Sequence, residues 1–333
     1  MSVAPLQPLT LTIDVHLDAA DLRAALARDV RSGLGAARKS LPPTWFYDEE
    51  GSKLFEEITR LPEYYPTRAE RVLLERHASD VAALTRSDTL VELGAGACEK
   101  TRVLLDALAG LGSLRRYVPF DVSADFLEEA ATALGRQYEG LVVHAVIGDF
   151  HRHLGKIPGS GGRLIAFLGG TIGNLVPWQR RRFFSALRAT MAPTDHLLLG
   201  ADLVKDVATI LAAYDDSAGV TGRFNRNVLH VVNRGLDADF VPDRFAHVVR
   251  WNPEQQWIEM RLRSELDQLV HVGALGLAVP FGRGEELLTE ISAKFTPAGI
   301  RSELVRAGFV LDRQWGENAG DFLLTLAHPA SRR

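Results

Sequence analysis

Between residues 89 and 201, short apolar runs alternate with stretches whose apolar residues recur every three or four positions. The runs at 90–93, 117–120, 141–147, 164–168 and 197–200 are each ended by Gly or Asp, which predicts five short buried strands. The intervening spacing predicts helices over 99–111, 124–137 and 177–191, with Pro177 placed where a helix start tolerates a missing N–H. Alternating strand and helix units imply a parallel sheet with its ligand site at the carboxyl ends of the strands.

Past residue 203 the pattern changes. Over 243–282 the alternation has period two, with Ile258, Met260 and Leu262 on one face and Trp257, Glu259, Arg261 and Arg263 on the other, which predicts an antiparallel β element. A helix near 300–307 and strands at 309–315 and 322–328 read as edge strands completing the first sheet. The expected fold class is α/β, a Rossmann-like nucleotide-binding domain with a second, inserted α+β substrate domain. The expected division is 70–203 plus 294–333 for the nucleotide domain and 1–69 plus 204–293 for the substrate domain.

The first strand breaks into Gly94 and Gly96 within TLVELGAGACEKT, where glycines let a ligand approach the backbone. A dinucleotide fingerprint wants a third glycine, but that place holds Glu99, whose charge repels phosphate. The guest is then cationic or neutral, and S-adenosylmethionine, with a sulfonium and an amino acid end, fits. Asp121 closes YVPFDV at the tip of the second strand, where a carboxylate can accept ribose hydroxyls; a helix cap before Ala124 is the equal alternative. Asp149 in IGDF follows the next strand and could accept from the adenine amino group with Phe150 beside the ring, although alone it reads as a turn. Together these loops point to a class I S-adenosylmethionine-dependent methyltransferase.

Composition narrows the partners. The 333 residues suffice for two domains, and a net charge of -4 without a basic, aromatic-interleaved cluster argues against nucleic acid. A single Cys98 excludes an internal disulfide and multi-cysteine metal sites, which favours a reducing cytoplasm. No apolar run reaches the roughly 18 residues of a membrane helix, so no membrane partner is expected. His151 and His153 lack further ligands at suggestive spacing, so no metal is expected. A monomer is expected.

KSLPPTWFYDEEGSKLFEEITRLPEYYPTRAE at 39–70, VELGAGACEKTR, PFDV, GDF, FLGGTIGNL, DLVKD, AYDD, FNRNVL and LTEISAKF carry a more specific resemblance. Across about 22–328 the chain resembles the histidine-specific Nα-methyltransferases that form hercynine, the trimethyl betaine of histidine, on the route to ergothioneine. The resemblance implies that Gly94, Lys100, Asp121, Asp149 and Phe150, with Gly96 in the same turn, hold S-adenosylmethionine. Ala97 and Cys98 depart from it, standing where the family often has hydroxyl residues.

On the acceptor side, Tyr64 and Tyr65 lie between Pro62 and Pro66, and Thr67 and Glu70 have capping-box spacing, so the tyrosines are expected on a stiff loop before a helix. Unaided, they read as structural tyrosines, Asn174 in TIGN as a turn residue, and Glu290 as a solvated acid. The resemblance instead implies that Asn174, Tyr64 and Tyr214 hold the carboxylate of L-histidine, with Tyr47 near its amino group. Glu290 and Ser292, two apart on an extended backbone, would grip the imidazole ring, with Met260 and Phe55 around the substrate. Methylation of another amino acid or small amine, and a non-catalytic sensor of S-adenosylmethionine, remain alternatives.

Overall fold

The computed structural model describes residues 10–96, 100–122, 124–159, 162–316 and 320–331. Its large sheet contains β1 (Thr10–Val15), β2 (Thr89–Leu93), β3 (Arg116–Asp121), β4 (Val142–Ile147), β5 (Arg163–Phe167) and β6 (His196–Asp202), all parallel. A separate antiparallel sheet joins β7 (Phe245–Asn252), β8 (Trp257–Ser264) and β11 (Glu286–Ala293), and β9 (Gln268–Val272) pairs with β10 (Leu277–Phe281). Two final strands, β12 (Phe309–Trp315) and β13 (Phe322–Pro329), return to the large sheet, whose order is β1-β4-β3-β2-β5-β6-β13-β12.

That order reverses direction between β2 and β5, so the crevice outside their carboxyl ends is the place for a ligand. Both strands are buried at every residue, as sheet covered on two faces requires. The result is the class I methyltransferase fold expected from the sequence, with an added antiparallel sheet. β13 is not an edge strand: it runs antiparallel between β6 and β12, and almost all of its residues are buried accordingly. Nor does the whole of 1–69 lie apart from the sheet, because β1 pairs along β4 and its Leu11 and Ile13 pack on the sheet core.

The helices are α1 (Ala19–Leu34), α2 (Glu49–Arg60), α3 (Tyr65–Thr85), α4 (Thr101–Gly110), α5 (Ala124–Gln137), α6 (Pro177–Thr190), α7 (Val207–Tyr214), α8 (Val220–Leu236) and α9 (Pro297–Arg306). One apolar cluster joins residues 26–65 to residues 210–287, with Val228, Leu229 and Val232 of α8 against Leu26, Phe46 and Ile58. β8 serves this cluster with Ile258, Met260 and Leu262, the face its alternation predicted. The predicted capping box does not form. α3 already starts at Tyr65, because Pro66 suits a first helical turn, so Thr67 and Glu70 fall inside the helix and the Glu70 side chain is turned into the protein.

Candidate active site

At the end of β2, Gly94 and Gly96 have φ of 73° and 49°, left-handed values that favour glycine. A Cβ on either would meet nothing within 4 Å, so the space above the turn is open to a ligand. Asp121 ends β3 beside it and its Oδ2 accepts the N–H of Gly96 at 3.0 Å. The carboxylate thus sits against the glycine turn, where an adenosine ribose would need an acceptor. Asp149 lies two residues past the end of β4, with its Oδ1 accepting from the N–H of His151 at 2.7 Å, the geometry of a turn. Phe150 lies edge-on to Phe167 and Phe183, with ring centroids 5.5 and 5.7 Å away. Lys100 donates to the buried carboxylate of Glu70, which also accepts from the N–H of Gly169 at 2.7 Å. This Lys100–Glu70–Gly169 link ties the glycine turn to the turn after β5. Ala97, Cys98 and Glu99 lie outside the described residues.

The second half of the site is a line of rings. Tyr47 meets Phe55 at 5.6 Å, Phe55 meets Tyr64 at 6.1 Å, and Tyr64 meets Tyr214 at 6.2 Å, all edge-on. Phe224 of α8 supports the line from 5.7 Å below Tyr47 and 5.9 Å below Phe55. Edge-on packing fixes ring orientation, so the three phenols are held relative to one another.

Opposite them runs β11. Glu290 and Ser292 are both buried, and Met260 is the direct cross-strand partner of Glu290, which places the two side chains on one face. The β8–β11 register shifts between Leu288 and Glu290, and the residue between them, Thr289, has its hydroxyl 2.6 Å from Asn225 Oδ1 and 2.9 Å from the Met260 carbonyl oxygen, two acceptors for its one proton. That bulge sets the facing of Glu290 and Ser292. Asn174, in the short turn Thr171–Asn174, donates from Nδ2 to the carbonyl of Ile291 at 2.9 Å. Gly173 permits that approach, since a Cβ there would lie 2.8 Å from the Ala293 carbonyl oxygen. Tyr214, at the end of α7, shares a 2.7 Å hydrogen bond with Ser292 Oγ.

Burial raises Glu290 from 4.5 to about 7, against the opposing pull of the Asn174 side chain and the Lys294 charge. Burial foremost, then the Glu290 carboxylate, lifts Tyr47 well above 10. Tyr64 and Tyr214 are raised likewise, first by burial, so all three stay as phenols and act as hydrogen-bond donors.

Several residues of this site went unread in the sequence. Asp202 ends β6 and accepts from Tyr65 OH at 2.7 Å and Lys205 at 2.5 Å, and it ion-pairs with buried Lys294 at 2.8 Å. Burial opposes its charge, but Lys294 and Lys205 outweigh that and hold its carboxyl below the usual range. A lysine two positions after Ser292, in an otherwise apolar strand end, was the available signal. Elsewhere, among the described residues, His196, Asp312 and His328 bring potential metal-ligating atoms within 4.8 Å of one another. They cluster where β6 begins, the opposite end of the strand from Asp202, and take no part in this site. His153 accepts the N–H of Asp149 at 3.1 Å, a turn contact.

The sequence profile of a family described as histidine-specific, SAM-dependent methyltransferase matches residues 26–329. A histidine N-alpha-methyltransferase of Mycobacterium tuberculosis is 58% identical over 91% of this chain and 94% of its own. One from Mycolicibacterium smegmatis is 54% identical over 96% and 99%. Ergothioneine biosynthesis protein 1 of Neurospora crassa is 32% identical over 59% of this chain and 23% of its own length.

Proposed function

Because the chain belongs to the histidine-specific, S-adenosylmethionine-dependent methyltransferases, we propose that it methylates the α-amino nitrogen of L-histidine three times, giving hercynine for ergothioneine biosynthesis. The observation that carries this reading is the convergence of Glu290, Ser292, Tyr214 and Asn174 around β11, with the aromatic line joined to them through Tyr214.

Gly94, Gly96 and Asp121, with Asp149 and Phe150 one strand further on, hold the cofactor, and Lys100 serves that turn through Glu70. When bound, S-adenosylmethionine supplies an electrophilic methyl group whose C–S bond breaks as the C–N bond forms. Tyr64, Tyr214 and Asn174 are neutral donors that can hold the histidine carboxylate by charge-assisted bonds without adding a cation beside the amine. Glu290 and Ser292 take the two ring nitrogens, and Met260 and Phe55 wall the ring. Tyr47, a phenol throughout the physiological range, cannot act as phenolate base; its oxygen relays the amine proton toward water. The amine needs little help, since its reference pKa near 8 leaves about a tenth neutral at pH 7. Orientation and exclusion of water by the rings supply most of the rate.

We assign cofactor binding to 70–203 plus 294–333 and acceptor binding to 1–69 plus 204–293, β1 excepted, with Asn174 of the first unit reaching across to the acceptor. No helix among the described residues is long and apolar enough to cross a membrane, and a free amino acid substrate fits the cytoplasm. Incubation with S-adenosylmethionine and each proteinogenic amino acid, followed by mass spectrometry, tests the function. Histidine alone should gain one, two and then three methyl groups; a different preferred acceptor, or no S-adenosylhomocysteine, overturns it.

A further inference from the structure

Lys294 follows β11 directly, and its side chain is fully buried. Its ammonium lies 2.8 Å from Asp202 Oδ2, 2.9 Å from the Tyr214 hydroxyl and 3.0 Å from Ser292 Oγ. An ammonium has three protons and no lone pair, so these contacts use all of its donors. The strand end is already tied down without it. The Phe295 N–H donates to the Asp202 carbonyl at 2.8 Å, and the Val204 N–H to the Phe295 carbonyl at 2.9 Å. A lysine is therefore not required to fasten β11 to β6.

What the ammonium does control is where two hydroxyl protons point. The Tyr214 and Ser292 oxygens each accept one proton from Lys294 and stand 2.7 Å apart, so one hydroxyl must donate to the other. Neither can donate back to the ammonium. Only one hydroxyl proton of the pair then remains for a ligand, and it is aimed away from Lys294. Asp202, itself held by its further bonds to Tyr65 and Lys205, keeps the lysine in place. We infer that Lys294 is a positioning residue: it fixes the proton direction of Tyr214 and Ser292 and thereby sets histidine affinity without touching the substrate. The inference rests on the placement of Tyr214 and Ser292 at the acceptor.

The test is a cycle of Lys294→Met, Tyr214→Phe and the pair, with histidine KM, kcat and calorimetric S-adenosylmethionine affinity measured for each. Lys294→Met should raise histidine KM about tenfold or more, the scale of a lost charge-assisted hydrogen bond, with cofactor affinity within about twofold of the parent. In the Tyr214→Phe background the same change should add little, because the proton it directs is gone. Fully additive effects, or an unchanged KM in Lys294→Met, overturn the inference. If Tyr214→Phe itself leaves KM unchanged, the placement of Tyr214 falls and the inference with it; if only Lys294→Met is silent, the placement stands and the inference alone fails. Should Lys294→Met leave Asp202 with Lys205 as its one cation and the chain misfolded, Lys294→Met with Asp202→Asn removes both charges of the buried pair, and the same cycle with Tyr214→Phe is read in that background.

Discussion

Met260 stands directly across the β8–β11 ladder from Glu290, so the one acid proposed to read the imidazole ring has an apolar thioether beside it on the same face. That setting, with burial, holds Glu290 at about 7. Its ionised form should be the one that accepts from an imidazole N–H. The kcat/KM for histidine should accordingly fall as pH drops below about 7, and Glu290→Gln should remove that limb while leaving those from substrate ionisation. Glu290→Ala should weaken histidine binding by about 1–3 kcal/mol, the cost of an unmet buried partner, with little change in cofactor affinity. Identical pH profiles for wild type and Glu290→Gln would falsify the assignment.

Gly173 makes a geometric prediction. An added methyl would lie 2.8 Å from the Ala293 carbonyl oxygen, 3.2 Å from the Ala293 nitrogen and 3.5 Å from Ser292 Oγ. The two closest neighbours are backbone, which cannot rotate away, so the turn and β11 must separate. Gly173→Ala should cost about 1–3 kcal/mol of stability by overpacking and raise histidine KM through displaced Asn174 and Ser292. Denaturant unfolding and steady-state kinetics report the two effects separately. A variant with parental stability and KM would show that the turn and strand are not as tightly seated.

The strand and helix alternation was legible because 90–93, 164–168 and their neighbours are buried on both faces and carry a largely apolar signal, which Glu92 interrupts in 90–93 without hiding it. The glycine turn and the tips of β3 and β4 followed from it, since a parallel sheet fixes where its loops go. The start of α3 was misread because Thr67 and Glu70 have the spacing of a cap, whereas the burial and pairing of Glu70 with Lys100 are tertiary facts. β1 was missed because TLTIDV gains its stability from pairing with β4, more than a hundred positions away. The aromatic line from Tyr47 to Tyr214 and the Asp202–Lys294 pair are likewise assembled from distant segments, and only resemblance named some of their members in advance.

Asp121 gives a test confined to the cofactor. Its carboxylate accepts the Gly96 N–H and so lies against the glycine turn. Asp121→Asn keeps the shape but loses the charge, so the bonds proposed to the ribose diol weaken. Calorimetry should show S-adenosylmethionine affinity reduced by about 1–3 kcal/mol, with the kinetic response to histidine at saturating cofactor nearly unchanged. Parental cofactor affinity would remove the ribose role.

Glu92 offers a prediction about stability alone. It is buried in the middle of the large sheet, its Oε2 accepts from Tyr117 OH at 2.6 Å, and burial raises its pKa from 4.5 to about 7 despite that bond. A raised carboxyl means that the folded chain holds the proton more tightly than the unfolded one. The stabilising contribution is therefore complete below about 4.5 and is lost as pH climbs through about 7, amounting to on the order of 3 kcal/mol. Glu92→Gln keeps an acceptor for Tyr117 and has no proton to lose. Urea unfolding of both proteins without ligand, at intervals from pH 4 to pH 8, isolates the effect as the difference between two curves, since Glu290 titrates in the same window in both. Wild type should lose stability relative to Glu92→Gln across that window. Parallel curves would mean that Glu92 titrates in the folded chain as it does in the unfolded one, with the Tyr117 bond cancelling the burial.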